Sequence, residues 1–399
     1  MTFHCFGTGQ QLLQCLKDRY NLEPPQGITP EEYKIWTEKK LSPIQQRVCN
    51  TLKTWIENYW INRFDEVCLD DVHDFANGVI METQPALATQ ILGLVTTMIN
   101  SDVYGTPFMS SKTKKIIKPE EYQPPILPRN LKRFSVLDLD PLELARQLTI
   151  LFSNIFIKIQ PVELMNQEFA KKYSNIAVNV RAMSDVSNKV TGWIISCIVQ
   201  EENVKNRAAI LKFFVKVACK LLALNNFHAL FAVQSAFSSS TVSRLNRTWS
   251  TLSEKTMVLF HSINQATDIN RNYAEYRQLL RRATLPAIPF LGLFLTDLTF
   301  TDDGNANTRN NGRLINFDKY AKTARIIKDL TNYQVPYAIT EVSEIQDFLR
   351  QVMYEHGNRD PQELYEISLR LEPRTPTNTD NPELILEHKI EMLLQAGML

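Results

Sequence analysis

The sequence predicts an all-α protein. Apolar residues recur at three- and four-residue spacing along most of the chain, and the segments they define are bounded by prolines and N-cap residues. Sustained apolar/polar alternation is missing outside short pieces such as 313–317.

The first segment, 9–20, carries Leu12, Leu13, Leu16 and Tyr20 on one face and is ended by Pro24-Pro25. A short amphipathic piece follows at 31–39. From Pro43 a stripe of Ile44, Val48, Leu52, Trp55, Ile56 and Tyr59 predicts a helix, and further helices are expected at 65–78 and 84–99. These elements suffice for a small helical domain over 1–108. Residues 109–130, with a K-T-K-K cluster and prolines 119, 124, 125 and 128, read as an extended linker. The P-P-I-L-P run within it could also serve as a ligand for a proline-binding module, a weaker reading.

Helical spacing resumes after Leu139. Asp140-Pro141 starts a helix with Leu144, Leu148, Leu151, Phe152 and Ile155 inward, and Pro161 interrupts the chain soon after it. Residues 206–224 place Ile210, Phe213, Phe214, Val217, Leu221 and Leu224 on one stripe, followed by Asn225 and Asn226 as helix-end amides.

The stretch 286–334 has the clearest architecture. Pro286 and Pro289 exclude a helix interior, so an arm starts near Phe290 and stops at the turn announced by Asp302, Asp303, Gly304 and Asn305. On that greasy arm Thr296, Thr299 and Asp303 recur at i, i+3 and i+7 as one narrow polar stripe. The second arm has Asn316 as candidate N-cap and Phe317, Tyr320, Ala321, Ala324, Ile327 and Leu330 as its apolar face. Two such arms make an antiparallel helical hairpin. In the tail, 375–399, Leu386, Ile390, Leu393 and Leu394 predict a terminal helix over 383–396.

Composition excludes several functions. With 44 Lys+Arg against 43 Asp+Glu, charge suggests neither a nucleic-acid nor a membrane-surface partner. No apolar run approaches the ~20 residues of a membrane span. The six cysteines form no C-x-x-C pair and sit beside no histidine cluster, so they read as reduced core thiols of a cytoplasmic protein, with no metal and no cofactor expected. Phosphate-cradling glycine motifs and the G-x-S-x-G elbow do not occur, and no nucleophile, base and orienting group come together. A conventional chemical enzyme is the least favoured reading.

A series of segments carries a resemblance: L-D-P-L-E-L-A-R-Q-L-T (139–149), I-Q-P-V-E-L (159–164), N-K-V-T-G-W (188–193), R-A-A-I-L-K-F-F (207–214), L-N-N-F-H-A-L (224–230), S-S-S-T-V-S-R-L (238–245), I-P-F-L-G-L-F-L-T-D-L-T-F (288–300) and G-R-L-I-N-F-D-K-Y-A-K-T-A (312–324). Their order resembles the catalytic domain of Ras-family guanine-nucleotide exchange factors of the Son-of-Sevenless kind, over about 131–374. Upstream, T-P-E-E-Y-K-I-W and P-I-Q-Q-R-V-C-N-T-L-K-T-W are similar to the Ras exchanger motif that precedes that domain. Residues 2–6 enter that motif partway, as in a piece of a longer protein.

The resemblance implies that the hairpin inserts beside the nucleotide site of a small GTPase of Ras or Rap type and displaces its first switch segment. Recruitment to the inner face of the plasma membrane would come through that partner. By resemblance, Phe290, Thr296, Thr299, Asp303, Asn305 and Lys322 form the working hairpin, and Asn188, Arg244 and Tyr273 line or support the contact with the second switch. Asp303 matches an acid that opposes phosphate, with a solvated turn carboxylate as the alternative. Thr299 stands where relatives often carry Leu or Val, although Thr-Phe also occurs in Rap-directed ones. Asp185 and Ser243 stand where Son-of-Sevenless members have Arg and Tyr. Two functional classes follow: an exchange factor, and a non-exchanging small-GTPase-binding or scaffolding protein of the same fold.

Overall fold

The computed structural model describes residues 1–100 and 123–373. Most of the linker and the terminal helix expected at 383–396 lie outside the described residues. The longer α-helices in chain order are α1 Gly9–Tyr20, α2 Pro30–Trp36, α3 Ser42–Thr54, α4 Leu69–Phe75, α5 Pro85–Asn100, α6 Pro141–Phe156, α7 Val178–Val199, α8 Val204–Ala223, α9 Phe227–Ser238, α10 Glu254–Ala266, α11 Asn270–Arg282 and α12 Leu291–Asp303. After two short strands, β1 Thr308–Arg309 and β2 Leu314–Ile315, come α13 Phe317–Thr331, α14 Ser343–His356 and α15 Pro361–Leu371. The strands pair antiparallel, Thr308 opposite Ile315. Asn310, Asn311 and Gly312 turn the chain between them in the left-handed region, at φ 50°, 54° and 87°.

The chain packs into two compact units that are not consecutive pieces of sequence. Of the described residues, the first holds 1–100, 155–181 and 291–336, and the second holds 123–154, 182–290 and 337–373. The hairpin α12–α13 therefore shares a unit with the amino-terminal helices.

In the first unit Leu13, Leu16, Tyr20, Val48, Leu52, Trp55 and Ile56 form the core that helical spacing predicts, joined by Phe75, Ile91 and Val95. A buried carboxylate ties the entry of the chain to this core. Asp65 accepts from Trp55 Nε1 (3.2 Å), the Ile61 backbone N–H (2.9 Å) and His4 Nε2 (2.8 Å). Three partners satisfy an otherwise costly buried acid. Gly9 is required there, because a Cβ would meet Asp65 Oδ1 at 2.7 Å and Cys68 Sγ at 2.9 Å. With 2–6 so fixed, Thr2 Oγ1 donates to the Tyr320 carbonyl (3.3 Å) and the Phe6 ring lies 4.8 Å from that of Tyr320. The six cysteines are free thiols, as expected, but Cys15 is exposed rather than in a core.

In the second unit α9 is buried nearly all round, from Phe227 to Phe237. Asn226 caps it, accepting from the Ala229 N–H (3.0 Å) and donating to Thr149 Oγ1 (3.1 Å). The described end of the proline-rich linker is extended and lies along α6: the Ile126 N–H donates to Glu143 Oε2 (2.9 Å) and Arg146 to the Pro124 carbonyl (3.2 Å). After α15 the chain is locked by Glu372, which accepts from Thr248 Oγ1 (2.7 Å), the Arg247 and Thr248 N–H groups (2.8 and 3.0 Å) and Arg207 Nη2 (3.2 Å).

Burial works against ionisation of Glu372, yet the hydrogen bonds from Thr248, Arg247 and Arg207 outweigh it and hold the carboxyl below its usual range. A depressed folded-state pKa stabilises the fold above the unfolded value and ceases to do so as pH falls through the folded one. Glu372→Gln should therefore cost about 2 kcal/mol at pH 7, the scale of charge-assisted hydrogen bonds. The deficit should shrink below about pH 4.5, the ordinary glutamate value; urea unfolding at the two pH values measures it, and a deficit independent of pH would contradict the assignment.

Phe6→Ala should loosen α13 locally. Loss of an aromatic pair of about 1 kcal/mol predicts amide exchange several-fold faster across Phe317–Thr331, with α9 unaffected. Unchanged exchange in α13 would show that the Phe6 ring does not hold that helix.

Candidate functional site

The end of the hairpin is built around a buried lysine. Lys319, only 3% exposed, extends its ammonium to Asp302 Oδ1 (2.6 Å), the Asp302 carbonyl (2.8 Å) and Asn307 Oδ1 (2.6 Å). An ammonium has three donors, and each is used. Gln167, from the loop after α6, reaches the same place: its Nε2 donates to Asp302 Oδ2 (2.9 Å) and Asp303 Oδ1 (2.8 Å). Burial raises the Asp302 pKa, but the hydrogen bonds from Lys319 and Gln167 and the Lys319 charge carry it below the usual carboxylate range.

The expected polar stripe takes shape around this node. Thr296 and Thr299 each donate their hydroxyl back to the helix, to the Gly292 and Leu295 carbonyls (both 2.9 Å). Thr299 has thus spent its polar group inside α12 and keeps a methyl to present, which narrows its difference from an aliphatic residue. Asp303 is exposed, and Asn305 and Lys322 meet at 3.4 Å. Thr296, Thr299, Asp303, Asn305 and Lys322 are therefore all on the hairpin, with Asp303 and Asn305 at its turn.

Three details of the hairpin differ from the sequence expectation. Asn316 stands at the N-cap of α13 but makes no side-chain cap bond; its Nδ2 donates to the Ala306 carbonyl (2.8 Å), closing the connection instead. Phe317 and Ala321 face outward, because the buried face of α13 runs through Lys319, Tyr320, Thr323, Ile327 and Leu330. Phe317 is 68% exposed and Phe300, near the end of α12, 71%. With Leu314 and Ile315 also exposed, the hairpin end presents large apolar groups to solvent. Such groups are the usual mark of a contact surface.

The other candidates lie in the second unit. Phe290 stacks on Phe231 (4.1 Å between centroids, 13° between planes), and its backbone N–H donates to Tyr276 Oη (2.7 Å). Tyr273 joins the cluster at its edge, 6.0 Å from Phe231 and 6.2 Å from Phe290. It ends a left-handed turn, 271–273 with φ 51°, 55° and 57°, a conformation that three non-glycine residues adopt only under constraint. Arg277 Nε supplies part of that constraint by donating to the Asn272 carbonyl (3.0 Å). His228, beneath Phe290, is fully buried, which lowers its pKa to about 4 and keeps the ring neutral near pH 7.

Asn188 is exposed on α7, adjacent in sequence to Lys189 of the Lys189–Asp185 pair (2.7 Å). Arg244 is differently disposed. Its guanidinium donates to the Ser368 carbonyl (2.6 Å) and the Glu372 carbonyl (2.7 Å), so it clamps the end of α15. Its described donors are turned into the fold, which fits support of a surface better than lining it.

Sequence reasoning missed Gln167, Lys319 and Phe300. Lys319 was detectable as a polar residue on the buried period of α13; Gln167 carried no local signal, being 135 positions from Asp302. Among the described residues no group of His, Cys, Asp and Glu could hold a metal, and no helix is long and apolar enough to cross a membrane.

Comparison with known proteins adds independent findings. The family model for the RasGEF N-terminal motif matches residues 1–75 and that for the RasGEF domain matches 143–321. The chain is similar to Cell division control protein 25 of Saccharomyces cerevisiae, 30% identical over 397 residues, which cover 94% of this chain and 25% of that protein. It is 34% identical to Ras guanine nucleotide exchange factor A of Dictyostelium discoideum over 393 residues, covering 95% of this chain and 62% of that protein. Protein son of sevenless of Drosophila melanogaster is 28% identical over 407 residues, covering 94% of this chain and 25% of that protein. This chain thus spans between a quarter and about three fifths of these relatives. Every candidate residue falls inside the second matched segment except Lys322, one position beyond it, and the chain belongs to the RasGEF family, with the RasGEF N-terminal motif ahead of the RasGEF domain.

Proposed function

We propose that this chain is a guanine-nucleotide exchange factor that promotes GDP release from a Ras-family small GTPase, of Ras or Rap type. The observation that carries the reading is the hairpin end: stiffened by Lys319 from within and by Gln167 from a neighbouring loop, it exposes Phe300, Phe317 and the Asp303 carboxylate. A fixed projection with apolar and anionic groups suits entry beside a site that holds phosphates.

The task needs no covalent step. A nucleotide held at picomolar affinity is bound by about 16 kcal/mol, much of it through phosphate contacts to backbone N–H groups and a magnesium ion. A partner that prefers the nucleotide-free GTPase must weaken nucleotide binding by the same factor. In this reading Asp303 opposes phosphate, Thr296, Thr299, Asn305 and Lys322 shape the inserted face, and Phe290, the residue that precedes α12, anchors the base of the hairpin. Tyr273 and Asn188 contact the second switch, with Arg244 supporting that surface from within. Residues 1–108 act as the exchanger motif that braces the hairpin, and 131–374 as the catalytic domain. The proposed setting is the cytoplasm, at membranes where the GTPase is anchored.

Release of a fluorescent GDP from a small panel of Ras- and Rap-type GTPases tests this: the full chain should accelerate release from at least one. Binding without acceleration would instead identify a GTPase-binding scaffold.

Three substitutions should separate the parts. Tyr273→Ala should weaken the complex with nucleotide-free GTPase by about 2 kcal/mol, the scale of an interface hot spot. Asp303→Asn should leave that affinity nearly intact and slow release a few-fold, about 1 kcal/mol of barrier. Phe290→Ala should reduce both stability and release, by about 2 to 3 kcal/mol in stability, less than for a fully buried ring. Release at the unmodified rate by folded Asp303→Asn and Phe290→Ala variants would mean that the lever lies elsewhere.

A further inference from the structure

We propose that Gln167 is a positioning residue for nucleotide release, holding Asp303 in place at the hairpin end before a GTPase docks. The inference rests on the exchange reading above and concerns a residue outside the hairpin.

Two adjacent acids at the hairpin end are held differently. Asp302 is paired with the Lys319 ammonium and is electrically spent. Asp303 is held, among the described residues, by the Gln167 amide. A primary amide carries two N–H donors, and here one goes to each carboxylate, at 2.9 and 2.8 Å. The chemical type matters: a lysine or arginine in this place would cancel the charge of Asp303, whereas an amide orients the carboxylate and leaves its charge intact. The Asp303 carboxylate then keeps its own negative charge, uncancelled by that partner, and offers it in a set direction.

The loop that brings Gln167 there is itself constrained. Asn166 and Gln167 are both left-handed, at φ 49° and 51°, which non-glycine residues seldom are. The buried Glu163 carboxylate closes the loop, accepting from the Gln160 N–H (2.9 Å), the Asn179 N–H (2.7 Å) and the Val180 N–H (3.0 Å). The Ala170 N–H donates to the Gln167 carbonyl (2.9 Å), and the aliphatic neighbours Leu164 and Leu298 line the cleft beside it. A preformed loop therefore delivers the amide, so that orienting Asp303 does not have to occur during the reaction.

The test uses the full chain and a GTPase of the responsive type loaded with fluorescent GDP, with rates taken across GTPase concentrations. Gln167→Leu should lower the maximal release rate about fivefold and leave the half-saturating concentration unchanged. In an Asp303→Asn background the same change should have no further effect, because the group it positions is gone. Gln167→Glu, which keeps the length and sets a third carboxylate against two, should be slower than Gln167→Leu, and it carries the test if circular dichroism shows Gln167→Leu unfolded. Release at the unmodified rate by the folded variants, or equal losses with and without Asp303, would overturn the proposal while leaving the exchange reading standing. A wild-type chain that accelerates no release would overturn both.

Discussion

A lysine ammonium closed off from water holds the end of the helical hairpin together. Lys319 is buried on α13, yet its partners are on α12 and the connection: the Asp302 carboxylate and carbonyl, and Asn307. Removing the Asp302 charge would strand the buried Lys319 ammonium in a poorly solvated place, a loss of several kcal/mol, so the two arms are obliged to keep their mutual register. The chain's entry adds to this node from a second direction. Asp65 fixes His4, and the segment around it sets Thr2 and Phe6 against Tyr320, the residue after Lys319. The hairpin is thus held at its end by charge and along its second arm by packing.

This arrangement explains how large apolar groups can remain exposed beside a charged turn. Phe300 and Phe317 flank the node without entering it, since the interior is already filled by Lys319, Tyr320 and Thr323. Exposing two phenyl rings forgoes roughly 2 kcal/mol of burial each. The fold tolerates that loss because the hairpin is pinned by contacts that do not involve them. A GTPase that covers these rings would gain what folding left unused.

Much of the architecture was legible because it is local. Pro286 and Pro289, the acid-Gly-Asn turn and the 3.6-residue spacing mark the hairpin and its limits, and α12 and α13 stand where they point. What failed to show is where local rules are overruled by distant partners. Phe317 and Ala321 satisfy helical spacing, but the buried stripe turned toward Lys319 once that side chain had Asp302 to neutralise it. Arg244 has the residue type of an interface anchor, yet carbonyls of 368 and 372, more than a hundred positions away, occupy its donors. Gln167 meets Asp303 only because a loop fixed by Glu163 carries it there. No window of sequence contains both residues.

In the proposed exchange reaction the chain stabilises the nucleotide-free form of a Ras-family GTPase. Titration of the full chain with one GTPase, in its GDP-loaded and nucleotide-free states, measures this directly. The account predicts much tighter binding to the nucleotide-free state, by the same factor by which the chain weakens GDP binding. Equal affinity for the two states would contradict it, because a partner without that preference cannot shift the equilibrium however tightly it binds.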